Sequence, residues 1–145
     1  MELMDGLDLR QLVERHGRQP LGRVVAILRA ACQSLGEAHD RGLVHRDIKP
    51  ENIYLCRRAD EVDIVKVLDF GLARTTQRAS GQAGLTQAGM IQGTPYTMSP
   101  EQIEERALDG RSDLYSLACV AMWLLTGQEV FEGESVMGIL MMHLK

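Results

Sequence analysis

His45 Arg46 Asp47 Ile48 Lys49 Pro50 Glu51 Asn52, followed seventeen positions after Asn52 by Asp69 Phe70 Gly71, is the stretch on which the reading of this chain turns. A carboxylate, Asp47, stands close to a lysine, Lys49. An amide, Asn52, comes five residues after the carboxylate, and a second carboxylate, Asp69, precedes a glycine. That set suits phosphoryl transfer: one carboxylate to take a hydroxyl proton, one cation beside the phosphate, and oxygen donors for two magnesium ions. Each piece alone is a common loop pattern. Their order, joined by an apolar stretch, is far more specific.

The joining stretch reads as a two-stranded hairpin. Ile53 Tyr54 Leu55 and Val62 to Leu68 are short, β-branched runs separated by the polar Arg57 Arg58 Ala59 Asp60 Glu61. The two motifs flank it, so Asp47, Asn52 and Asp69 can converge. Upstream, Asp8 Leu9 Arg10 Gln11 has capping-box form and predicts a short helix with Leu9, Leu12 and Val13 on one face and Gly17 as its stop. Leu21, Val24, Val25, Leu28, Cys32 and Leu35 recur at helical steps and predict a second helix ending at Asp40 Arg41 Gly42.

Downstream, Leu72 to Gly93 has no lasting periodicity and is rich in Gly, Gln, Ser and Thr, which predicts a long functional loop. Ser99 Pro100 Glu101 Gln102 restarts a helix, with serine as N-cap and proline at the tolerated first position. Leu114 to Leu125 is apolar almost all round and predicts a helix at the core centre. Ser135 caps a last segment whose Met137, Met141 and Met142 read as core gap-fillers.

Composition narrows the function classes. At 145 residues and 45% hydrophobic content, one domain of ordinary size is expected. A net charge of −4 with scattered arginines gives no footprint for nucleic acid. Cys32, Cys56 and Cys119 have no metal-ligand spacing and read as buried, reduced thiols, which fits a cytoplasmic protein. The longest apolar run falls short of the ~20 residues that a membrane span needs.

These motifs identify a resemblance to the C-terminal lobe of a eukaryotic-like, bacterial-type serine/threonine protein kinase. It runs from Met1 Glu2 Leu3 Met4, similar to the interlobe hinge, through HRDIKPEN, DFG and Gly93 Thr94 Pro95 Tyr96, to Ser99 Pro100 Glu101 and Arg111 Ser112 Asp113 Leu114 Tyr115 Ser116. The resemblance implies a mainly α fold with a small β-hairpin, a partial kinase domain over 1–145 and an activation segment over about 69–101. It implies ATP and Mg2+ as cofactors and a protein substrate. By position, Asp47 would accept the hydroxyl proton, Lys49 would neutralise the transferring group, and Asn52 and Asp69 would hold magnesium. Glu2, Met4, Asp8 and Tyr54 are the implied ATP contacts, with Asp8 equally expected to cap its helix.

Thr94 resembles the threonine that sits between Asp47 and Lys49 in serine/threonine kinases. Arg46 resembles the receiver of an activation-loop phosphate, for which Thr86 is the candidate and Thr75, Thr76 and Ser80 the weaker alternatives. His45 and Asp113 are implied scaffolding, and Glu101 would lack within this chain the late arginine it usually pairs with. The family's G-x-G-x-x-G loop is not found, and none of the three lysines, Lys49, Lys66 and Lys145, stands where a phosphate-anchoring strand lysine would. The expectation is therefore a kinase fragment whose N-terminal lobe belongs to a parent protein and which is inactive or nearly so by itself. The alternative is a truncated, non-catalytic module that binds or regulates a protein partner.

Overall fold

A computed structural model describes residues 5–58, 61–70 and 94–145. Three strands, β1 (Gly6–Asp8), β2 (Ile53–Arg58) and β3 (Glu61–Val67), form one antiparallel sheet in that order. Among the described residues five α-helices accompany it: α1 (Leu9–His16), α2 (Leu21–His39), α3 (Pro100–Ile103), α4 (Gly110–Thr126) and α5 (Val136–His143). The fold is thus mostly helical with a small sheet, as expected, except that the sheet has three strands rather than two.

β1 escapes sequence reading because three residues, Gly-Leu-Asp, carry no alternation and poor strand propensity. Its register with β2 pairs Gly6 with Cys56, Leu7 with Leu55 and Asp8 with Tyr54. Gly6 is required there: its φ is 156°, and a Cβ would lie 2.0 Å from the carbonyl oxygen of Leu55. β1 runs straight into α1, whose N-cap Asp8 accepts the Gln11 N–H at 2.7 Å, and Gly17 closes that helix at φ 70°.

The core gathers Leu9 and Leu12 of α1, Val24, Ile27, Ala31 and Leu35 of α2, Ile53, Leu55 and Val67 of the sheet, and Leu117, Val120, Trp123 and Leu124 of α4. α2 therefore turns a face through Val24, Ile27, Ala31, Leu35 and Ala38 inward. The predicted stripe is corrected: Leu21 and Val25 are exposed, as is Cys32. Small alanines marked the true face at 3- and 4-residue steps, and bulk alone drew attention to the neighbouring one.

α4 is only in part a central helix, since Leu114 and Met122 are exposed. Two further expectations at α5 divide. Ser135 does cap it, accepting the Gly138 N–H at 3.1 Å. Two of its methionines are not core fillers: Ile139, Leu140 and His143 are buried while Met137 and Met141 stand at 64% and 48% exposure, and Met142 is half-buried.

Candidate active site

The loop Val44–Lys49 leaves α2 and enters a 3-10 turn at Pro50–Asn52, and its shape is fixed from α4. Asp113, 1% exposed, accepts the backbone N–H of His45 on Oδ2 and that of Arg46 on Oδ1, each at 2.8 Å. His39 of α2 adds a third bond to Oδ2 at 2.8 Å. Arg46 sits at φ 70°, a left-handed conformation that a non-glycine residue holds only when its surroundings impose it. From the other side Gln102 supplies an anchor. Its side-chain oxygen accepts the Ser99 N–H at 3.0 Å, closing the capping box, and its Nε2 donates to the Arg46 carbonyl at 2.7 Å.

His45 is fully buried. Its Nε2–H donates to the Leu68 carbonyl at 2.7 Å, its Nδ1 accepts the Asp47 N–H at 3.3 Å, and Phe70 meets it edge-on at 4.7 Å between centroids. Because a carbonyl can only accept, this assigns the proton to Nε2. One imidazole thereby fastens the Asp47 backbone to the residue before Asp69. Asn52 makes the second link between the two motifs, since its carbonyl accepts the Leu68 N–H at 2.8 Å.

The candidate site residues Asp47, Lys49 and Asn52 lie on this frame. Asn52, 5% exposed, donates its side-chain amide to the Asp47 carbonyl at 2.7 Å and to Asp47 Oδ2 at 3.3 Å. Lys49 Nζ lies 2.9 Å from the same Oδ2. The other carboxylate oxygen, Asp47 Oδ1, is buried and has no hydrogen-bond partner among the described residues. An orphaned buried oxygen costs about 1–3 kcal/mol, so it marks a place where an incoming donor would be welcome. Asp69 is exposed and left-handed at φ 61°. Among the described residues no group of three His, Cys, Asp or Glu side chains converges as a metal cage. An amide oxygen and one carboxylate suit Mg2+, which keeps waters and takes phosphate oxygens as its remaining ligands.

The remaining predicted positions divide cleanly. Thr94 lines one small hollow with Arg46, Asp47, Thr97 and Gln102, so the structure brings it beside the carboxylate; Lys49 is not part of that lining. Arg46 Nε is buried without a partner among the described residues. Asp8 and Tyr54 are register neighbours on β1 and β2. Glu101 finds a partner other than the late arginine, accepting the Ser112 hydroxyl at 2.5 Å. Burial works to raise its carboxyl, yet hydrogen bonds from Ser112, its own backbone and Ser99, with Arg106 nearby, leave it below the usual range. Glu2, Met4 and Thr86, with the weaker candidates Thr75, Thr76 and Ser80, lie outside the described residues.

Sequence reading missed His39, Gln102 as a clamp on Arg46, and Arg10. The last donates through Nε to Glu51 at 2.9 Å and stacks over Trp123 at 5.0 Å, tying α1 to the turn that carries Asn52. None of the three has a local signal, since each partner is more than forty positions away or reached through the tertiary fold.

The protein kinase domain family matches residues 1–145 from end to end. The chain belongs to the protein kinase family. It is 44% identical over 144 residues to serine/threonine-protein kinase pkn3 of Myxococcus xanthus, covering 99% of this chain and 26% of that protein. It is 46% identical over 145 residues to Pkn1 of the same organism, covering 20% of it, and 38% identical over 145 residues to PknB of Mycobacterium tuberculosis, covering 22% of it. The kinase chain in hand thus spans about a quarter or less of each of these relatives. Among the described residues no helix is long and apolar enough to cross a membrane.

Proposed function

We propose that these 145 residues are the catalytic and metal-holding part of an ATP-dependent serine/threonine protein kinase, its C-terminal lobe. The observation that carries this reading is the Asp47 carboxylate, with one oxygen held by Lys49 at 2.9 Å and the other buried and unpartnered. ATP bound with Mg2+ would supply the phosphoryl group. Asp47 Oδ1 accepts the proton of a Ser or Thr hydroxyl as that oxygen bonds to the γ-phosphorus and ADP departs. Lys49 offsets the charge that develops on the phosphoryl oxygens, and Asn52 and Asp69 offer oxygen donors to the metal. Tyr54 and Asp8 border the nucleotide, together with Glu2 and Met4. Thr94, beside Asp47, helps seat the acceptor hydroxyl.

The glycine loop and phosphate-anchoring lysine that this chemistry requires come from polypeptide outside these 145 residues. The share of each relative that the chain covers supports that arrangement. Arg46, with its buried Nε, receives the phosphate of Thr86 in the activated kinase. A chimera tests the reading: this chain replaces the matching segment of pkn3, and transfer from radiolabelled ATP is followed by phosphoamino-acid analysis. Phosphoserine or phosphothreonine is expected. A folded chimera that binds ATP and transfers nothing would leave the chain as a non-catalytic kinase-like module.

A further inference from the structure

A cleft of about 600 Å³ opens beside β1, and none of its lining residues has a part in the phosphoryl-transfer scheme. Its floor is apolar. Leu12 of α1 and Leu55 and Cys56 of β2 stand at 1%, 4% and 7% exposure, with the half-buried Leu7 of β1 next to them. Its rim is charged: Arg15 and His16 come from the last turn of α1, Arg23 from the first turn of α2 and Arg57 from β2.

Two carboxylates, Asp5 and Asp63, share that lining, so the sign of the cleft depends on which charges are already paired. Asp63 is. Its Oδ2 accepts from Arg23 Nε and its Oδ1 from Arg23 Nη2, each at 2.7 Å, while Arg23 Nη1 donates to Gln19 at 2.9 Å. The pair also holds Asp63 in a left-handed conformation, φ 62°, that its surroundings must impose. Arg15, His16 and Arg57 are exposed and make no ion pair among the described residues, against the one remaining carboxylate, Asp5. Arg57 stands where the register of β2 on β3 shifts, between Cys56 and Arg58, and a bulge of this kind re-aims a side chain. The cleft is therefore positive, on a chain whose net charge is −4.

We propose that this cleft docks an acidic peptide segment of a protein partner, with carboxylates on Arg15 and Arg57 and an apolar side chain on the floor of Leu12, Leu55 and Cys56. Charge complementarity selects the class. A guanidinium takes a carboxylate through two parallel N–H bonds, and His16 offers a further donor on the same rim. A nucleic acid or an anionic bilayer spreads its charge over a wide face and would meet repulsion from the rest of a chain of net charge −4. A short peptide engages the cleft alone. A lone inorganic anion would leave the floor uncovered, whereas an apolar side chain set between acidic ones removes it from water. The docking does not depend on the kinase reading.

A phage-displayed library of random dodecapeptides, selected on the immobilised 145-residue chain, tests this. The enriched peptides should set Asp or Glu around Leu, Ile or Phe. Fluorescence anisotropy with the most enriched of them, synthesised and labelled, then locates the site. Arg15→Glu combined with Arg57→Glu should weaken binding by about tenfold or more, the worth of a hydrogen bond to a charged group, and added salt should weaken binding to the wild-type chain. Both residues are exposed, so the fold should survive. If the double variant does not fold, Arg15→Gln with Arg57→Gln decides, by the same loss. A basic or wholly apolar consensus, no enrichment at all, or an acidic peptide held as tightly by the folded double variant would overturn the proposal. No arm needs ATP turnover, so failure here is distinct from failure of the kinase reading.

Discussion

Asp113 Oδ1 accepts the backbone N–H of Arg46 at 2.8 Å across 67 positions of sequence. This bond, with its twin from His45 to Oδ2, lets a helix buried in the core dictate the path of the loop bearing Asp47. Asp113→Asn keeps the shape but turns one acceptor into a donor that faces another donor. The mutant should lose about 1–3 kcal/mol of stability, the usual cost of a buried polar group left unsatisfied. Denaturant unfolding measures it, and a midpoint equal to wild type would show that Asp113 does not hold the loop.

Gly6 gives a second stability test. With φ at 156° and the Leu55 carbonyl 2.0 Å from where a Cβ would stand, Gly6→Ala must move β1 off β2 or strain the backbone. A loss of more than about 1 kcal/mol is expected. Gly22→Ala, in α2 with open space around it, should instead be neutral or stabilising.

Acid should act through Glu101. Its carboxyl lies below the ordinary range in the fold, so the fold binds fewer protons than the unfolded chain there. The stability it contributes is complete above the unfolded carboxyl pKa and is lost as pH falls through that value toward the folded one. Glu101→Gln should therefore flatten the acid limb of a plot of melting temperature against pH. An acid limb identical to wild type would remove Glu101 from the account.

The cysteines separate by environment. Cys119 is buried and desolvation raises its thiol to about 11, while Cys32 is exposed on α2. Iodoacetamide at mildly alkaline pH should label Cys32 in the native chain well before Cys119. Peptide mass spectrometry after a timed quench reads the order directly, and equal labelling of the two would contradict the packing of α4.

How much of this was legible in the sequence depends on whether the determining contact is local. Asp8, Ser99 and Ser135 announce their helices because a capping side chain bonds within three residues, and all three do so. The hairpin joining Asn52 to Asp69 shows in its β-branched runs. Strand β1 does not, because only pairing with Leu55 makes Gly6–Asp8 a strand. The inward face of α2 was misjudged because Leu21 and Val25 outweigh Ala31 and Ala38 in bulk, and which side packs is settled by α4 and the sheet. At the site, Asp47, Lys49 and Asn52 lie within five residues and were readable as a set. His39 and Gln102 enter only once the fold brings them to Asp113 and Arg46.

The central claim is that Asp47 takes the acceptor proton in phosphoryl transfer. Its most direct test is the single-turnover rate in the pkn3 chimera carrying Asp47→Asn, measured with ATP saturating. That rate should fall by about 10²–10⁴-fold, the contribution of a positioned general base, with nucleotide affinity little changed. A rate within a few-fold of the unsubstituted chimera would contradict the account.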